Sequence, residues 1–136
     1  MQTSRDRSIV EHILDYCIRI DETASYFNCS KEVFTENHVF RDAVALCVLQ
    51  IGELTGVLSD EMKKKYDNIK WRQIKALRNI VAHKYGTVDA EVLWEILTSD
   101  VPQLQSDCEK ILSEFQDSEQ HVLEDTQNSS ENEENK

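Results

Sequence analysis

Between Phe40 and Leu58, apolar side chains recur at alternating steps of four and three: Phe40, Val44, Cys47, Ile51, Leu54 and Leu58. Residues spaced this way line up along one side of an α-helix and form the seam by which a helix packs into a bundle. A strand cannot use the pattern, because its side chains alternate faces every residue. The rest of the chain agrees, since 136 residues include only 3 glycines and 1 proline. So few chain-breakers leave little room for the turns of a β fold. The expected fold is therefore all-α, an up-down bundle of four or five helices with one hydrophobic core.

The same reading extends along the chain. A first helix is expected over residues 6–27, carried by Ile9, Ile13, Tyr16, Ile20 and Phe27, with Val10, Leu14 and Cys17 widening the stripe. Asn28-Cys29-Ser30 interrupts it, and Ser30 can cap a short helix over residues 31–36. The seam helix covers residues 38–58, with Gly52 and Gly56 four apart, where close approach of another backbone would offset their poor helix propensity. Ser59-Asp60 suits the start of a short helix through Tyr66, and a longer helix from Trp71 to Tyr85 would stop at Gly86. Asp89 can cap a final helix over residues 90–115, with a kink or restart at Pro102. From Asp117 the periodicity fades into Gln, Asn, Ser and Glu. That divides the chain into a helical domain, 1–116, and an acidic tail, 117–136, expected to be disordered.

Charge is unevenly placed. The net charge is −11, but seven of the 26 acidic residues and one of the 15 basic ones lie from Asp117 onward, which leaves the rest at −5. Within that remainder, residues 61–85 hold Lys63, Lys64, Lys65, Lys70, Arg72, Lys75, Arg78 and Lys84 against Glu61 and Asp67. Local potential governs where a polyanion docks, so this basic island is the expected contact for nucleic acid. The acidic tail would compete with RNA if it folded over the island. Cys17, Cys29, Cys47 and Cys108 show no metal-site spacing, and three of them lie among apolar residues as small hydrophobes. No metal or cofactor is expected. The first residues hold no apolar signal segment, and no apolar run approaches the ~20 residues that span a bilayer. A cytoplasmic chain without membrane contact is the expectation.

The helix at residues 71–85 has the most to say about chemistry. At 100° per residue, Ile74, Leu77 and Val81 fall within an arc of about 60°, the natural core face. Trp71, Lys75, Arg78, Ala82 and Tyr85 form a second stripe. Arg72, Ala76, Asn79 and His83 form a third. Arg78 and His83 are about 140° apart, so one helix brings them only to two rims of a groove. Across a two-fold axis the same patch meets itself, and two arginines and two histidines would converge on one cleft. Arg suits phosphate oxygens, and His moves protons near neutrality, which is what attack by a ribose 2′-hydroxyl requires. From spacing alone, a solvated or core-edge role for the same residues stands beside catalysis.

Arg78-Asn79, with His83 and Tyr85 following, resembles the Arg-x4-His-x-Tyr form of the HEPN motif (higher eukaryotes and prokaryotes nucleotide-binding). Trp71 to Leu77 and the earlier Gln50-Ile51-Gly52-Glu53 resemble its HepT-like branch, and the likeness covers roughly residues 5–116. The resemblance implies a toxin of a type VII toxin–antitoxin pair, acting as a homodimer whose paired motifs form a metal-independent ribonuclease cleft. It also implies a partner, a minimal nucleotidyltransferase antitoxin that transfers AMP from ATP to the motif tyrosine, here Tyr85. Carried over, Arg78 and His83 are catalytic, Asn79 positions substrate and Tyr85 is the modification site. Lys75, Arg72 and Lys84 are the island residues placed to touch RNA. The resemblance leaves a second role open, that of a non-catalytic helical partner of such a nucleotidyltransferase. The acidic tail has no counterpart in the family pattern.

Overall fold

The computed structural model describes residues 4–84 and 90–134, with side chains given through Asp117 except that of Lys84. Every described element is a helix: α1 Ser4–Tyr26, α2 Lys31–Glu36, α3 His38–Gly56, α4 Asp60–Lys65, α5 Trp71–Lys84, α6 Ala90–Glu95, a π-helical turn Ile96–Asp100, and α7 Val101–Glu134. No described helix is long and apolar enough to cross a membrane.

The helix ends follow from local side-chain chemistry. Ser30 Oγ accepts the Val33 amide at 3.2 Å and opens α2. Ser59 Oγ does the same for Met62 at 3.1 Å and opens α4. Asn37, not anticipated from the sequence, caps α3 by accepting the Val39 amide at 2.8 Å. Such caps satisfy amides that have no partner inside the helix. α1 ends through two consecutive left-handed residues, Asn28 and Cys29, at φ 58° and 51°. Asn tolerates that region because its short polar side chain bonds locally, and this makes 28–29 the hinge between α1 and α2.

The core lies where α1, α3 and the α6–α7 helix meet. Phe40, Val44, Cys47, Ile51 and Leu58 of the predicted seam are buried, and Leu54 is half-buried. α3 also buries a second face, Ala45, Val48, Gly52 and Thr55, because it is central: α1 packs on one side of it and α5 on the other. A ring cluster fastens the short elements, with Phe40 stacked on Phe27 at 4.7 Å, Phe34 edge-on to Phe40 at 4.9 Å, and Phe34 against Trp94 at 5.3 Å. Asp6 is the buried carboxylate that sequence reasoning missed. It accepts the Ser59 amide at 3.0 Å and the Ser59 hydroxyl at 2.7 Å, which ties the start of α1 to the cap of α4.

Three details differ from the sequence expectation. Trp71 belongs to the core rather than to the Arg78 stripe: it is buried, and its indole N–H donates to the Tyr66 carbonyl at 3.1 Å. Indole bulk at the helix start overrides its angular position, once the polar atom has a partner. The irregularity expected at Pro102 is a widened turn placed before it, Ile96–Asp100. A proline ring clashes with the carbonyl four residues earlier, and a π turn opens that space while keeping the helix continuous. The backbone of α7 continues as a helix through Glu134, past Asp117 where the sequence predicts order to end. Residues 117–134 contain no Gly or Pro to break it, and Glu and Gln there are good helix formers. The last core residue is Phe115 among the described side chains.

Candidate active site on the α3–α5 face

α5 presents a buried edge and a broad solvent face. Trp71 and Val81 are buried and Ile74, Leu77 and Ile80 half-buried, while Arg72, Lys75, Ala76, Asn79, Ala82 and His83 are exposed. The helix is held chiefly by α3. On its other flank a groove of about 690 Å³ separates it from the π turn and α7, with Ile69, Ile74, Leu77 and Leu104 as its apolar wall.

Arg78 is set by a close approach. A Cβ placed on Gly52 would lie 2.0 Å from the Cβ of Arg78 and 3.3 Å from its Cα, so only glycine lets α5 come this near. This is the backbone approach expected for Gly52. At Gly56 the same construction meets nothing within 4 Å, and that glycine has no such role. From there the Arg78 side chain turns toward α3. Its Nε donates to Glu53 Oε1 at 2.5 Å, and Nη1 donates to Asn79 Oδ1 at 3.2 Å. A hollow of about 320 Å³ opens beside this pair, lined by Gly52, Glu53, Val57, Lys75, Arg78 and Asn79. Two cations, one carboxylate and an amide in a hollow of that size suit an anion held by directed N–H donors.

His83 lies elsewhere. It is exposed, has no hydrogen-bond partner among the described residues, and is not part of the Arg78 hollow. Five residues of helix separate the two by about 7.5 Å along the axis and about 140° around it. One chain therefore brings Arg78, Asn79 and Lys75 together and leaves His83 and Arg72 on the neighbouring line. Tyr85 lies outside the described residues, as does the side chain of Lys84. Lys64, Lys65, Lys70, Arg72 and Lys75 of the basic island are all exposed. Among the described residues no group of three or more His, Cys, Asp or Glu is arranged to hold a metal ion.

Residues 13–111, which contain both Glu53 and the segment 78–85, match the ribonuclease HepT-like family. The chain belongs to that family. Among its HepT-like relatives is a Methanocaldococcus jannaschii protein named as a candidate RNase, 34% identical over 76 residues, 56% of this chain and 70% of that protein. A similarly named protein of Caldanaerobacter subterraneus is 28% identical over 106 residues, 78% of this chain and 93% of its own. A Thermococcus cleftensis protein named by assignment as ribonuclease HepT is 30% identical over 89 residues, 59% and 81% of the two chains. No solved structure matches the chain at a significant level.

Sequence reasoning put Lys75 and Arg78 on one stripe but Asn79 on another with His83, whereas Asn79 accepts from Arg78, and it gave Glu53 no role. The available signal was Gly52: a glycine inside a bundle helix marks a close crossing, and its neighbour is the residue that meets what crosses.

Proposed function

We propose that this HepT-like chain is an endoribonuclease toxin subunit that works as a homodimer without a metal ion, with Arg78 and His83 as its catalytic residues. The observation that carries the reading is the division of labour on α5. Arg78 is keyed into α3 and His83 is exposed on an adjacent line of the helix. A second copy on the same face would supply what one chain leaves apart. The surface next to the hollow is suited to such burial, because Val57, which lines it, is 49% exposed and Leu46, two turns before Glu53 on α3, is 57% exposed.

In this cleft one His83 accepts the proton of a ribose 2′-hydroxyl as its oxygen attacks the adjacent phosphorus. The other His83 gives a proton to the departing 5′-oxygen, leaving a 2′,3′-cyclic phosphate and a 5′-hydroxyl end. Arg78 stabilises the charge that builds on the phosphorane oxygens, with Asn79 positioning and Lys75, Arg72 and Lys84 on flanking phosphates. A partner nucleotidyltransferase silences the site. The Tyr85 phenol oxygen attacks the α-phosphorus of ATP, pyrophosphate leaves, and the attached AMP occupies the place of substrate phosphate.

The test is cleavage of RNA in the presence of EDTA by the wild type and by Arg78→Ala and His83→Ala, with the molecular mass in solution measured alongside. Cleavage by the wild-type dimer and its loss by at least ~10²-fold in both variants is the expected result. Undiminished cleavage by either variant removes that residue from catalysis, and full activity in a monomer overturns the shared cleft. AMP transfer to Tyr85 without any RNA cleavage would establish the other role, a non-catalytic partner of the nucleotidyltransferase.

A further inference from the structure

Arg78 cannot orient itself. A guanidinium on a flexible stem samples many rotamers, and an arginine that must meet a phosphate at the moment of reaction gains from being held in advance. Its five N–H groups lie in one plane, and Glu53 occupies the Nε–H at 2.5 Å while Asn79 takes one N–H of Nη1 at 3.2 Å. Among the described residues those contacts leave Nη2 and one N–H of Nη1, on the outer side of the guanidinium, for a further acceptor. We propose that Glu53 is a positioning residue, holding Arg78 by its inner edge so that this outer edge faces the α3–α5 hollow as the seat for a substrate phosphate.

Three features of the fold support this assignment, which rests on the ribonuclease reading above. Glu53 follows Gly52, the residue that admits the Arg78 Cβ, so the contact that brings α5 close also brings the carboxylate to Nε. Asn79 directly follows Arg78 on the same helix, so both acceptors are tied to regular backbone rather than to loops. Lys75, one turn before Arg78, lines the same hollow and stands ready for a neighbouring phosphate. A stabilising role explains the pair less well. Its side chains are 33% and 58% exposed, and an exposed ion pair contributes only ~0–1 kcal/mol.

The alternative arrangement is a competitor, in which Glu53 occupies Arg78 until phosphate displaces it. The two differ in sign. Positioning predicts that Glu53→Ala lowers kcat by ~10–10²-fold with KM changed less than about threefold, because a mis-aimed donor fails in the transition state. Glu53→Gln, whose side-chain carbonyl still accepts from Nε, should recover most of that loss. Nitrogen-15 spectra of arginine-labelled protein give a readout apart from turnover. An Nε–H signal assigned to Arg78 by its absence in Arg78→Lys should exchange slowly in the wild type and rapidly in Glu53→Ala. If RNA is cleaved through Arg78 but Glu53→Ala keeps the wild-type kcat, or binds RNA more tightly and cleaves faster, positioning is overturned and the ribonuclease reading stands. If the wild type leaves RNA intact, or Arg78→Ala cleaves it normally, the ribonuclease reading falls and the role of Glu53 falls with it.

Discussion

At residue 52 the chain has no side chain, and the Cβ of Arg78 stands where a methyl group would be. The cysteines are governed by burial in a similar way. Cys17, Cys47 and Cys108 are buried and Cys29 is exposed. Burial pushes the Cys17 thiol up to about 12, with Cys47 and then Glu109 adding to it. Burial also raises Cys47 and Cys108 above the ordinary 9.0. A group whose pKa is raised in the folded state holds its proton better there, so folded and unfolded protein bind it equally at low pH. Stability is then lost once the unfolded thiols begin to ionise. The urea midpoint should thus be insensitive to these thiols below pH ~8 and fall steadily from about pH 9 upward. Iodoacetamide at pH 8 should label Cys29 alone in the native protein, and rapid labelling of a second cysteine would contradict the burial. That three cysteines pack as small hydrophobes was legible from their apolar neighbours. Asp6 was not, because a carboxylate near the start of a helix reads as solvated until its partner, 53 residues away, is known.

Among the elements, α3 tests how far periodicity carries. Its seam predicted one buried face, but the second exists because α3 is central, with α1 and α5 both packed on it. The two glycines separate these effects. Gly52→Ala puts a methyl group 2.0 Å from the Arg78 Cβ, so α5 must shift, at a cost of ~1–3 kcal/mol. Gly56→Ala meets nothing within 4 Å and should stabilise by ~0.4–1 kcal/mol through helix propensity and a less flexible unfolded chain. Urea unfolding of the two variants measures both, and a Gly52→Ala protein as stable as the wild type would contradict the close crossing. The caps at Ser30 and Ser59 were legible because a hydroxyl before a helix has a defined task. The π turn was not, since Pro102 demands relief without specifying whether the helix breaks, bends or widens.

For the whole molecule, the proposed ribonuclease role makes charge the quantity that governs the approach of RNA. The backbone of α7 stays helical to Glu134 and does not turn back at Asp117. Acidic residues of the tail then repel a polyanion at long range, an effect that salt screens beyond ~8 Å at physiological strength. Removing residues 117–136 changes the net charge from −11 to −5. RNA affinity of the truncated chain should rise at ~0.02 M salt and match the full chain at ~0.2 M in a fluorescence binding titration. An advantage that persists at high salt would mean that the tail covers the island directly.

The sequence by itself determined what depends on neighbours along the chain: an all-α fold, the order of its helices, the caps at Ser30 and Ser59, and a motif helix with separate Arg78 and His83 lines. Helical periodicity and capping are local, acting over three or four residues, and one sequence displays them fully. Tertiary structure decided what depends on which helices meet. It placed Trp71 in the core, gave α3 its second buried face, joined Asp6 to Ser59, and brought Glu53 onto Arg78 across a crossing that Gly52 alone permits. Those contacts join residues 25 to 53 positions apart, and no period in a single chain encodes which of many possible partners a folded bundle will bring together.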